Sequence, residues 1–300
     1  MPRPVSLLVN PAAGGGRASK VLPEVEAALR GHGVEFHTEP TRNLEHACDL
    51  ARSAAAAGEV AVALSGDGLV GAVAGALRMI DGAIMGVLPG GRGNDFARVA
   101  GIPLDAVAAC EVIAAGVPVP IDLGEVDGRP FIGIASLGFD SDANRIANEA
   151  PARLGNLVYA YGALRALAAW KHAEFEVIVD SEAHHMRGWS VAAANSKAYG
   201  GGMYLAPDAD LHDGELDVVM SRASSKLHFL AALPKVFKGT HVEDDSVVIL
   251  RGREIRISAD RPFTVYADGD PIGELPVTIR CSPGAVSVLL PEPAPGSAAK

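Results

Sequence analysis

The chain has 300 residues, of which 49% are apolar, and it carries a formal net charge of −10. A chain of this length and composition can bury a large core, and it suits two domains better than one. The negative charge argues against nucleic acid as the main partner, because such binding requires a broad basic surface. The three cysteines lie far apart and form no C-x-x-C pair, so neither a disulfide framework nor a zinc ribbon is supported, and a reducing cytosol is indicated.

Apolar runs are short throughout the chain. None approaches the roughly 20 residues of a membrane-spanning helix, and the run before Asn10 is too short for a signal peptide. We therefore expect a cytoplasmic protein whose contact with a membrane, if it has one, is peripheral.

Residues 1–118 alternate between predicted strands and predicted helices. Continuous apolar runs predict strands over 5–9, 34–38, 60–64 and 83–88, and helical spacing predicts helices over 19–32, 44–57, 69–80, 94–99 and 104–116. Alternation with continuous apolar strands is typical of a parallel sheet covered on both faces. We predict an α/β nucleotide-binding domain over 1–118, with ligands at the carboxyl ends of its strands.

The pattern changes after residue 118, where short strands with turns between them predominate. Such strands are predicted over 121–126, 131–135, 175–179, 190–194, 216–220, 246–250, 254–258, 263–266, 276–280 and 285–290, with helices over 154–172 and 226–238. This pattern predicts a β-rich, antiparallel, sandwich-like domain over 119–290. The last residues, 291–300, are rich in Pro, Ala, Gly and Ser, and we expect them to be disordered.

Two glycine-aspartate loops follow predicted strands of the first domain. One is Ser65-Gly66-Asp67-Gly68, and the other is Pro89-Gly90-Gly91-Arg92-Gly93-Asn94-Asp95-Phe96. Glycine lets backbone N–H groups approach a phosphate, and a helix that begins after the loop presents its positive end. The carboxylates of Asp67 and Asp95 would repel a bare phosphate, so they suggest Mg²⁺ or a base that takes a proton from a hydroxyl.

Generic nucleotide motifs explain these loops poorly. Residues 66–71 satisfy G-x-G-x-x-G, but the acidic residue expected at the end of the next strand is missing and the unit is third in the chain. A Walker A sequence is also absent, because the glycines at 14–16 are not followed by Gly-Lys-Ser/Thr. The loops alone would permit a dinucleotide-binding protein as well as a kinase.

Six motifs in order resemble the diacylglycerol kinase and sphingosine kinase family. In the first domain they are Asn10-Pro11 with Gly14, Ser65-Gly66-Asp67-Gly68, and Gly91-Arg92-Gly93-Asn94-Asp95-Phe96-Ala97-Arg98. In the second they are Asn195 with Tyr199-Gly200-Gly201-Gly202-Met203, Ala206-Pro207 with Asp213-Gly214-Glu215-Leu216-Asp217, and Asp268-Gly269-Asp270 before Leu275-Pro276. The match spans residues 5–290, and the family's two-domain architecture agrees with the pattern of predicted elements.

The resemblance implies an ATP-dependent lipid kinase. The residues that it places at the nucleotide are Asn10, Thr41, Ser65, Gly66, Asp67, Gly68, Gly71, Arg92, Gly93, Asn94 and Asp95. It places Mg²⁺ at Asp213, Asp210 and Glu215. It proposes Asp268 as the general base, and we rank Asp67 second because one branch of the family places that aspartate near the substrate hydroxyl. Without the other motifs, Asp268-Gly269 and Asp213-Gly214 would be interpreted first as turns.

Several positions depart from the family pattern. Ala72 stands where glutamate is common, Arg92 stands where a threonine contacts ATP, and Asp270 replaces a glutamate. Leu69 replaces a threonine of many members but matches the sphingosine kinase branch. A guanidinium at position 92 could pair with a phosphate instead.

The expected substrate is a lipid at a membrane surface, with diacylglycerol ranked first and a sphingoid base, ceramide or another glycerolipid as alternatives. Two other hypotheses about function stay open. One is a metabolite kinase of the NAD kinase type, which shares a Gly-Asp-Gly loop, and the other is a nucleotide-binding regulatory protein with weakened catalysis. The expected cofactors are ATP and Mg²⁺. Whether the protein forms a homodimer is left open.

Overall fold

The computed structural model describes residues 3–149, 165–167 and 169–292. The chain divides into two compact units. The first comprises the residues up to Leu123 together with those from Pro283 onward, and the second comprises Gly124–Ser282. The domain limits expected from the sequence, 1–118 and 119–290, stay a prediction. The tail expected over 291–300 lies outside the described residues beyond residue 292.

Strands and helices alternate in the first unit. The strands are β1 (Val5–Val9), β2 (Phe36–Pro40), β3 (Val60–Ser65) and β4 (Ile84–Pro89), and the helices are α1 (Ala13–Gly31), α2 (Leu44–Ala56), α3 (Asp67–Leu77), α4 (Asp95–Val99) and α5 (Cys110–Ala115). β1 runs parallel to β2 on one side and to β3 on the other, and β3 is parallel to β4. β1 and β3 are buried along their whole length, as expected for strands covered on both faces. The predicted parallel sheet is confirmed.

Two helices of the first unit differ from their predicted limits. The glycines at the start of α1, Gly14 to Gly16, have positive φ angles, so regular helical geometry begins only after them, close to the predicted start at Ser19. The helix expected over 104–116 is shorter. Asp105 accepts a hydrogen bond from the backbone N–H of Ala108, and the chain forms turns there until α5 begins at Cys110.

The second unit is built mainly of antiparallel strands. They are β5 (Val117–Val126), β6 (Arg129–Phe131), β7 (Ile134–Gly138), β8 (Ala173–Val179), β9 (Glu182–Ala194), β10 (Leu216–Arg222), β11 (Val247–Gly252), β12 (Glu254–Ala259), β13 (Thr264–Ala267), β14 (Asp270–Glu274) and β15 (Val277–Leu290). The described residues of this unit also form helices α6 (Phe139–Glu149) and α7 (Lys226–Val236), a 3-10 turn over Thr240–Glu243 and helical structure at 165–167 and 169. β5 begins and β15 ends in the first unit, where β15 runs parallel to β4.

Strand β9 is the centre of the second unit. It pairs antiparallel with β7, β8 and β10, and the sheet continues from β8 to β12 and from β7 to β13. Alternate residues of a strand face opposite sides, so Val191 and Ala193 join the larger core with Trp189, while Ala192 and Ala194 join a smaller core. The predicted antiparallel, sandwich-like architecture is confirmed.

Helical segments of the second unit were predicted less completely. Helix α7 matches the segment expected over 226–238. Helix α6 was not predicted. The helix expected over 154–172 lies mostly outside the described residues, although 165–167 and 169 are helical.

Candidate active site

Three loops of the first unit meet at the carboxyl ends of β1, β3 and β4. The backbone N–H of Asn10, after β1, donates to the carbonyl oxygen of Leu64 at 3.3 Å. The N–H of Gly90, after β4, donates to the carbonyl oxygen of Ser65 at 2.7 Å. This edge is where ligands bind in parallel sheets.

Glycine is required where these loops touch. A Cβ on Gly14, whose φ is +61°, would lie 2.5 Å from the carbonyl oxygen of Gly90. A Cβ on Gly91 would overlap the Cα atom of Gly66. Side chains at these positions would therefore force the loops apart. Glycine thus permits the close approach of the three loops at the edge where helix α3 begins.

Asp67 connects two of the loops. It is the first residue of α3, and its Oδ1 atom accepts a hydrogen bond from the backbone N–H of Phe96 at 3.1 Å. Burial raises the pKa of Asp67, the Phe96 bond opposes this rise, and the nearby charge of Asp95 adds to it. Asp95 is itself buried, at 8% exposure. Two close carboxylates in a poorly solvated place are relieved by a proton or by a divalent cation.

Asn94 closes the turn that precedes α4. Its φ is +52°, its Oδ1 atom accepts from the N–H of Gly91 at 2.8 Å, and its Nδ2 group donates to the carbonyl oxygen of Gly91 at 3.2 Å. Arginines hold the same turn from outside. Arg17 donates to the carbonyl oxygen of Gly91 at 3.0 Å, and Arg98 reaches that of Gly93 at 3.5 Å. Arg17 was not among the residues predicted to contact the nucleotide.

The other residues predicted to contact the nucleotide lie along the same edge. Thr41 is buried, and its hydroxyl donates to the carbonyl oxygen of Val9 at 3.2 Å. Asn10 accepts from the N–H of Ala12 through Oδ1 at 3.1 Å. The side chain of Arg92 is exposed. Gly68 and Gly71 lie in the first and second turns of α3.

In the second unit, Asp268 lies in the turn between β13 and β14. Its φ is +53° and that of Gly269 is +95°, which agrees with the predicted hairpin turn. Its carboxylate oxygens accept hydrogen bonds from the N–H groups of Ile132 and Gly133, both at 2.9 Å. The carboxylate is therefore held in a fixed position.

Asn195 holds the same two residues from the other side. It is fully buried, its N–H donates to the carbonyl oxygen of Gly133 at 3.0 Å, and its Nδ2 group donates to that of Ile132 at 2.9 Å. The N–H of Ser196 also reaches Gly133, at 3.2 Å. Ile132 and Gly133 are thus fixed between Asp268 and Asn195. Asn195 belongs to one of the six sequence motifs, but the sequence alone indicates no role for it.

The residues predicted to hold a metal lie in the loop before β10. Oδ1 of Asp213 accepts from the N–H of Glu215 at 3.0 Å, and Oδ1 of Asp210 accepts from the N–H of His212 at 3.1 Å. The His212 ring bonds the same Asp210 oxygen and holds the pKa of that carboxyl below its usual value. Each carboxylate therefore folds back on its own loop.

Charge near this loop is partly balanced by Arg251. Its Nε donates to Oδ1 of Asp217 at 3.1 Å, and its guanidinium lies 3.8 Å from Oδ2 of Asp213. Among the described residues, no group of three or more His, Cys, Asp and Glu side chains is arranged to hold a metal ion. A site built from one carboxylate and backbone carbonyls would still supply the hard oxygen ligands that Mg²⁺ prefers. The assignment to Asp213, Asp210 and Glu215 stays a prediction.

A polar cluster around Asp140, in which Asp140 and Tyr199 are partly buried and Ser190 is buried, was not predicted from the sequence. Asp140 lies in the first turn of α6, and its carboxylate accepts hydrogen bonds from the side chains of Tyr199 and Ser190. Burial raises the pKa of Asp140 to about 6, although both bonds oppose the rise. Burial and the Asp140 charge raise the pKa of Tyr199 well above its usual value. Tyr199 begins the glycine-rich motif, but nothing in the sequence joins it to Asp140.

The backbone around Tyr199 forms a tight turn. Its N–H donates to the carbonyl oxygen of Met203 at 3.0 Å, and the N–H of Met203 donates back at 3.0 Å. The three glycines between them all have positive φ angles. Asp140 therefore anchors one end of a glycine turn whose backbone only glycine adopts readily.

Comparison with known proteins agrees with this arrangement. Residues 4–126 match the diacylglycerol kinase catalytic domain, and residues 133–290 match the YegS C-terminal NAD kinase beta sandwich-like domain. A diacylglycerol kinase of Mycobacterium tuberculosis strain H37Rv is 33% identical over 296 residues, which cover 96% of this chain and 95% of that protein. A probable lipid kinase YegS-like protein of Pseudomonas fluorescens is 33% identical and covers 91% and 92% of the two chains.

A solved structure shows the same fold. The crystal structure of a protein from Bacillus anthracis strain Sterne superposes with a TM-score of 0.82 at 22% identity, and it covers 97% of this chain and 96% of its own. None of the helices among the described residues is long and apolar enough to cross a membrane. The catalytic-domain match, the C-terminal domain match and the 33% identity together place this chain in the diacylglycerol kinase family of lipid kinases, enzymes that transfer phosphate to an alcohol.

Proposed function

We propose that the protein transfers the γ-phosphate of ATP to the hydroxyl of diacylglycerol and so produces phosphatidic acid. The proposal that the first unit binds ATP rests mainly on one observation. Gly14 lies close to Gly90, and Gly66 lies close to Gly91, at the edge of the parallel sheet. Phosphoryl transfer depends mainly on positioning and charge stabilisation, which backbone N–H groups and a helix N-terminus can provide. Helix α3 begins within this edge.

The choice of acceptor rests on the relatives. The M. tuberculosis relative is named a diacylglycerol kinase, whereas the P. fluorescens relative is named only a lipid kinase. A Bacillus subtilis protein named diacylglycerol kinase is 27% identical over 274 residues. Diacylglycerol is therefore the first acceptor to test.

Asp268 is the proposed general base. Two backbone hydrogen bonds fix its carboxylate, and proton abstraction requires a base that is fixed within reach of the hydroxyl. Asp67 is the second candidate, and its raised pKa suits a group that accepts a proton.

Mg²⁺ would be held by Asp213, Asp210 and Glu215, and when bound it would neutralise phosphate charge. Asp67 and Asp95 would bind cation-bound phosphate at the first unit, because their mutual repulsion falls when a cation lies nearby.

The proposal is tested with γ-labelled ATP and mixed micelles that contain one lipid each. Diacylglycerol, monoacylglycerol, ceramide and a sphingoid base are compared at equal surface fraction. Label in phosphatidic acid, at a rate well above that for the other lipids, supports the proposal. Faster labelling of another lipid contradicts the choice of diacylglycerol, and nucleotide binding without transfer to any acceptor contradicts the proposed reaction.

A second candidate acceptor is NAD. The match of residues 133–290 to an NAD kinase beta sandwich-like domain favours its inclusion. NAD is therefore added as a water-soluble acceptor in the same assay. Label that stays in the aqueous phase as a phosphorylated dinucleotide would replace the lipid proposal with this one.

A further inference from the structure

We propose that the outer face of helix α7 is the surface by which the protein docks on an anionic lipid bilayer. This face consists of Leu227, Leu230, Ala231 and Pro234 together with Phe237, which follows the helix. The inference rests on the proposed function, because a kinase that acts on a membrane lipid must reach its acceptor at the bilayer.

Helix α7 is apolar on both faces. Its inner face carries Phe229, whose ring stacks on that of Trp189 with the ring centroids 4.2 Å apart. The same ring meets that of Phe139 edge-on, with the centroids 4.8 Å apart. These contacts fix the orientation of the helix on the aromatic core of the second unit. Successive residues are rotated by about 100°, so Leu227 and Ala231 lie roughly opposite Phe229.

The outer face is exposed to an unusual degree. The exposed fraction is 79% for Leu227, 53% for Phe237 and 38% for Leu230. Single exposed apolar residues are ordinary, but neighbours on one face that together form a patch indicate a contact surface. α7 has no buried residue.

Charge on this segment complements an anionic surface. From Arg222 to Val242 the sequence holds four Lys and Arg residues and no Asp or Glu, although the whole chain carries −10. Three acidic residues, Glu243, Asp244 and Asp245, follow directly after this segment. Asp244 lies 3.8 Å from Lys235 and also pairs with His228, so the positive charge of that flank of the helix is balanced. Lys226 and Lys238, at the two ends of the apolar face, are exposed. Apolar residues flanked by lysine are typical of interfacial membrane helices.

A second copy of the chain fits this surface less well. A symmetric dimer would bring the same patch of both copies together, so the lysines at the ends of the apolar face would approach lysines. Anionic lipid headgroups carry the negative charge that a second copy of the patch lacks. Lysines close to such headgroups contribute favourably to the free energy of membrane binding.

The docking face is joined to the turn that carries Asp268. The N–H of Tyr204 donates to the carbonyl oxygen of Val236, at the end of α7, at 3.0 Å. Tyr204 directly follows the glycine turn of residues 199–203, and the preceding Ser196 donates to Gly133. Gly133 in turn donates to the Asp268 carboxylate. Backbone hydrogen bonds thus link the end of α7, through residues 196–204, to the residue that holds the proposed base.

The test compares the sedimentation of the full-length protein with vesicles of phosphatidylcholine alone and of phosphatidylcholine mixed with phosphatidylglycerol. We expect binding to the mixed vesicles only. The double variant Leu227→Ser/Phe237→Ser should bind them at least about tenfold more weakly, because two apolar side chains no longer insert. The matched control Met79→Ser/Leu104→Ser removes exposed apolar residues of the first unit and should bind as the wild type does.

A second variant tests whether Lys226 and Lys238 contribute to binding of the anionic vesicles. Lys226→Gln/Lys238→Gln should weaken binding about fivefold or more for each lysine, and the difference should shrink as salt rises from about 0.1 M to about 1 M. Circular dichroism and melting temperatures equal to the wild type show that each variant is folded. Both surface variants should lose turnover of vesicle-embedded diacylglycerol and keep turnover of a short-chain, water-soluble diacylglycerol.

Equal binding by the wild type and both surface variants overturns the inference. A change in oligomeric state without a change in vesicle binding also overturns it and assigns the face to a second copy. Failure of the proposed function is distinguishable, because vesicle binding needs no turnover. If the wild type binds, the surface variants do not, and no lipid is phosphorylated, docking stands and the proposed reaction fails.

Discussion

The backbone N–H of Phe96 donates to the carboxylate of Asp67 at 3.1 Å, and this bond joins the two glycine-aspartate loops. It lies beside the buried Asp95, whose charge helps to raise the pKa of Asp67. The loops therefore form one structure in which protonation of Asp67 and the charge of Asp95 are coupled.

Replacement of Asp95 by Asn should lower the pKa of Asp67, because a neighbouring negative charge that opposes its ionisation is removed. If turnover requires ionised Asp67, the fall in kcat/KM on acidification should then begin at a lower pH than in the wild type. The measurement is the pH profile of kcat/KM for both proteins. An upward-shifted acid limb contradicts this coupling, and an unchanged limb shows that turnover does not depend on the ionisation of Asp67.

Gly91→Ala should separate the loops, because its Cβ would overlap the Cα of Gly66. Overpacking of this kind typically costs about 1–3 kcal/mol of stability, and we expect a weaker affinity for ATP as well. Gly31→Ala is the matched control, since a Cβ at Gly31 has open space and lies near the end of helix α1. Chemical denaturation and nucleotide titration of both variants check the prediction. Equal stability and affinity for the two variants would show that the loops can move apart freely.

Arg92→Ala should raise the KM for ATP by about tenfold with a smaller effect on kcat, since one charge-assisted contact to a phosphate would be lost. Arg92→Thr introduces the residue expected from the family pattern and should recover part of the loss. Steady-state kinetics with varied ATP measures both. A KM for Arg92→Ala within twofold of the wild type would mean that this exposed guanidinium does not contact the nucleotide.

Asp140→Asn should stabilise the protein at pH 7. The folded pKa of Asp140, about 6, lies above the usual 3.8, so the folded state binds this proton more tightly than the unfolded state. The contribution of Asp140 to the free energy of unfolding is therefore fully present below about pH 4. It is lost as the pH rises from about 4 to 6, because the side chain then ionises in the folded protein. The loss is on the order of 3 kcal/mol at pH 7.

An amide at position 140 removes this loss while it can still accept from Tyr199 and Ser190. We expect a gain of about 1–3 kcal/mol at pH 7 and little change at pH 4. Asp142→Asn is the control, because Asp142 is a partly exposed residue paired with Arg145, and its effect should stay within about 0.5 kcal/mol. Denaturant unfolding at both pH values decides. A loss of stability at pH 7 would show that the two hydrogen bonds outweigh the burial of charge.

Asp268→Asn should reduce kcat by about 10²–10⁴-fold and leave the affinity for ATP nearly unchanged, as expected on removal of a general base. Asn195→Ala provides the structural comparison, since Asn195 holds the same two residues, Ile132 and Gly133, without a carboxylate. It should lower the melting temperature more than it lowers the rate of a still folded protein. A drop of less than tenfold for Asp268→Asn would leave Asp67 as the candidate base.

The sequence alone was sufficient for the architecture. Apolar runs and helical spacing predicted β1 and β3 almost to the residue, and short strands predicted the antiparallel second unit. These patterns predict strands and helices because a buried strand or an amphipathic helix needs its apolar residues at a fixed local period. Helix α5 was overestimated because turn-forming hydrogen bonds at Asp105 compete with the helix.

The glycine-aspartate loops of the first unit were also predictable, because each follows directly after a strand. What the sequence could not show was which loops touch and which carboxylates share one environment. The contact of Gly91 with Gly66 joins residues 25 positions apart, and the bond of Tyr199 to Asp140 joins residues 59 positions apart.

Local sequence thus determined most of the strands and helices and the loops that carry glycine and aspartate. Tertiary structure decided that Asp67 and Asp95 repel each other, that Asp268 and Asn195 fix one turn, and that helix α7 presents a second apolar face outward. The physical reason is that periodicity acts over a few residues, whereas desolvation and charge interactions depend on groups that only folding brings together.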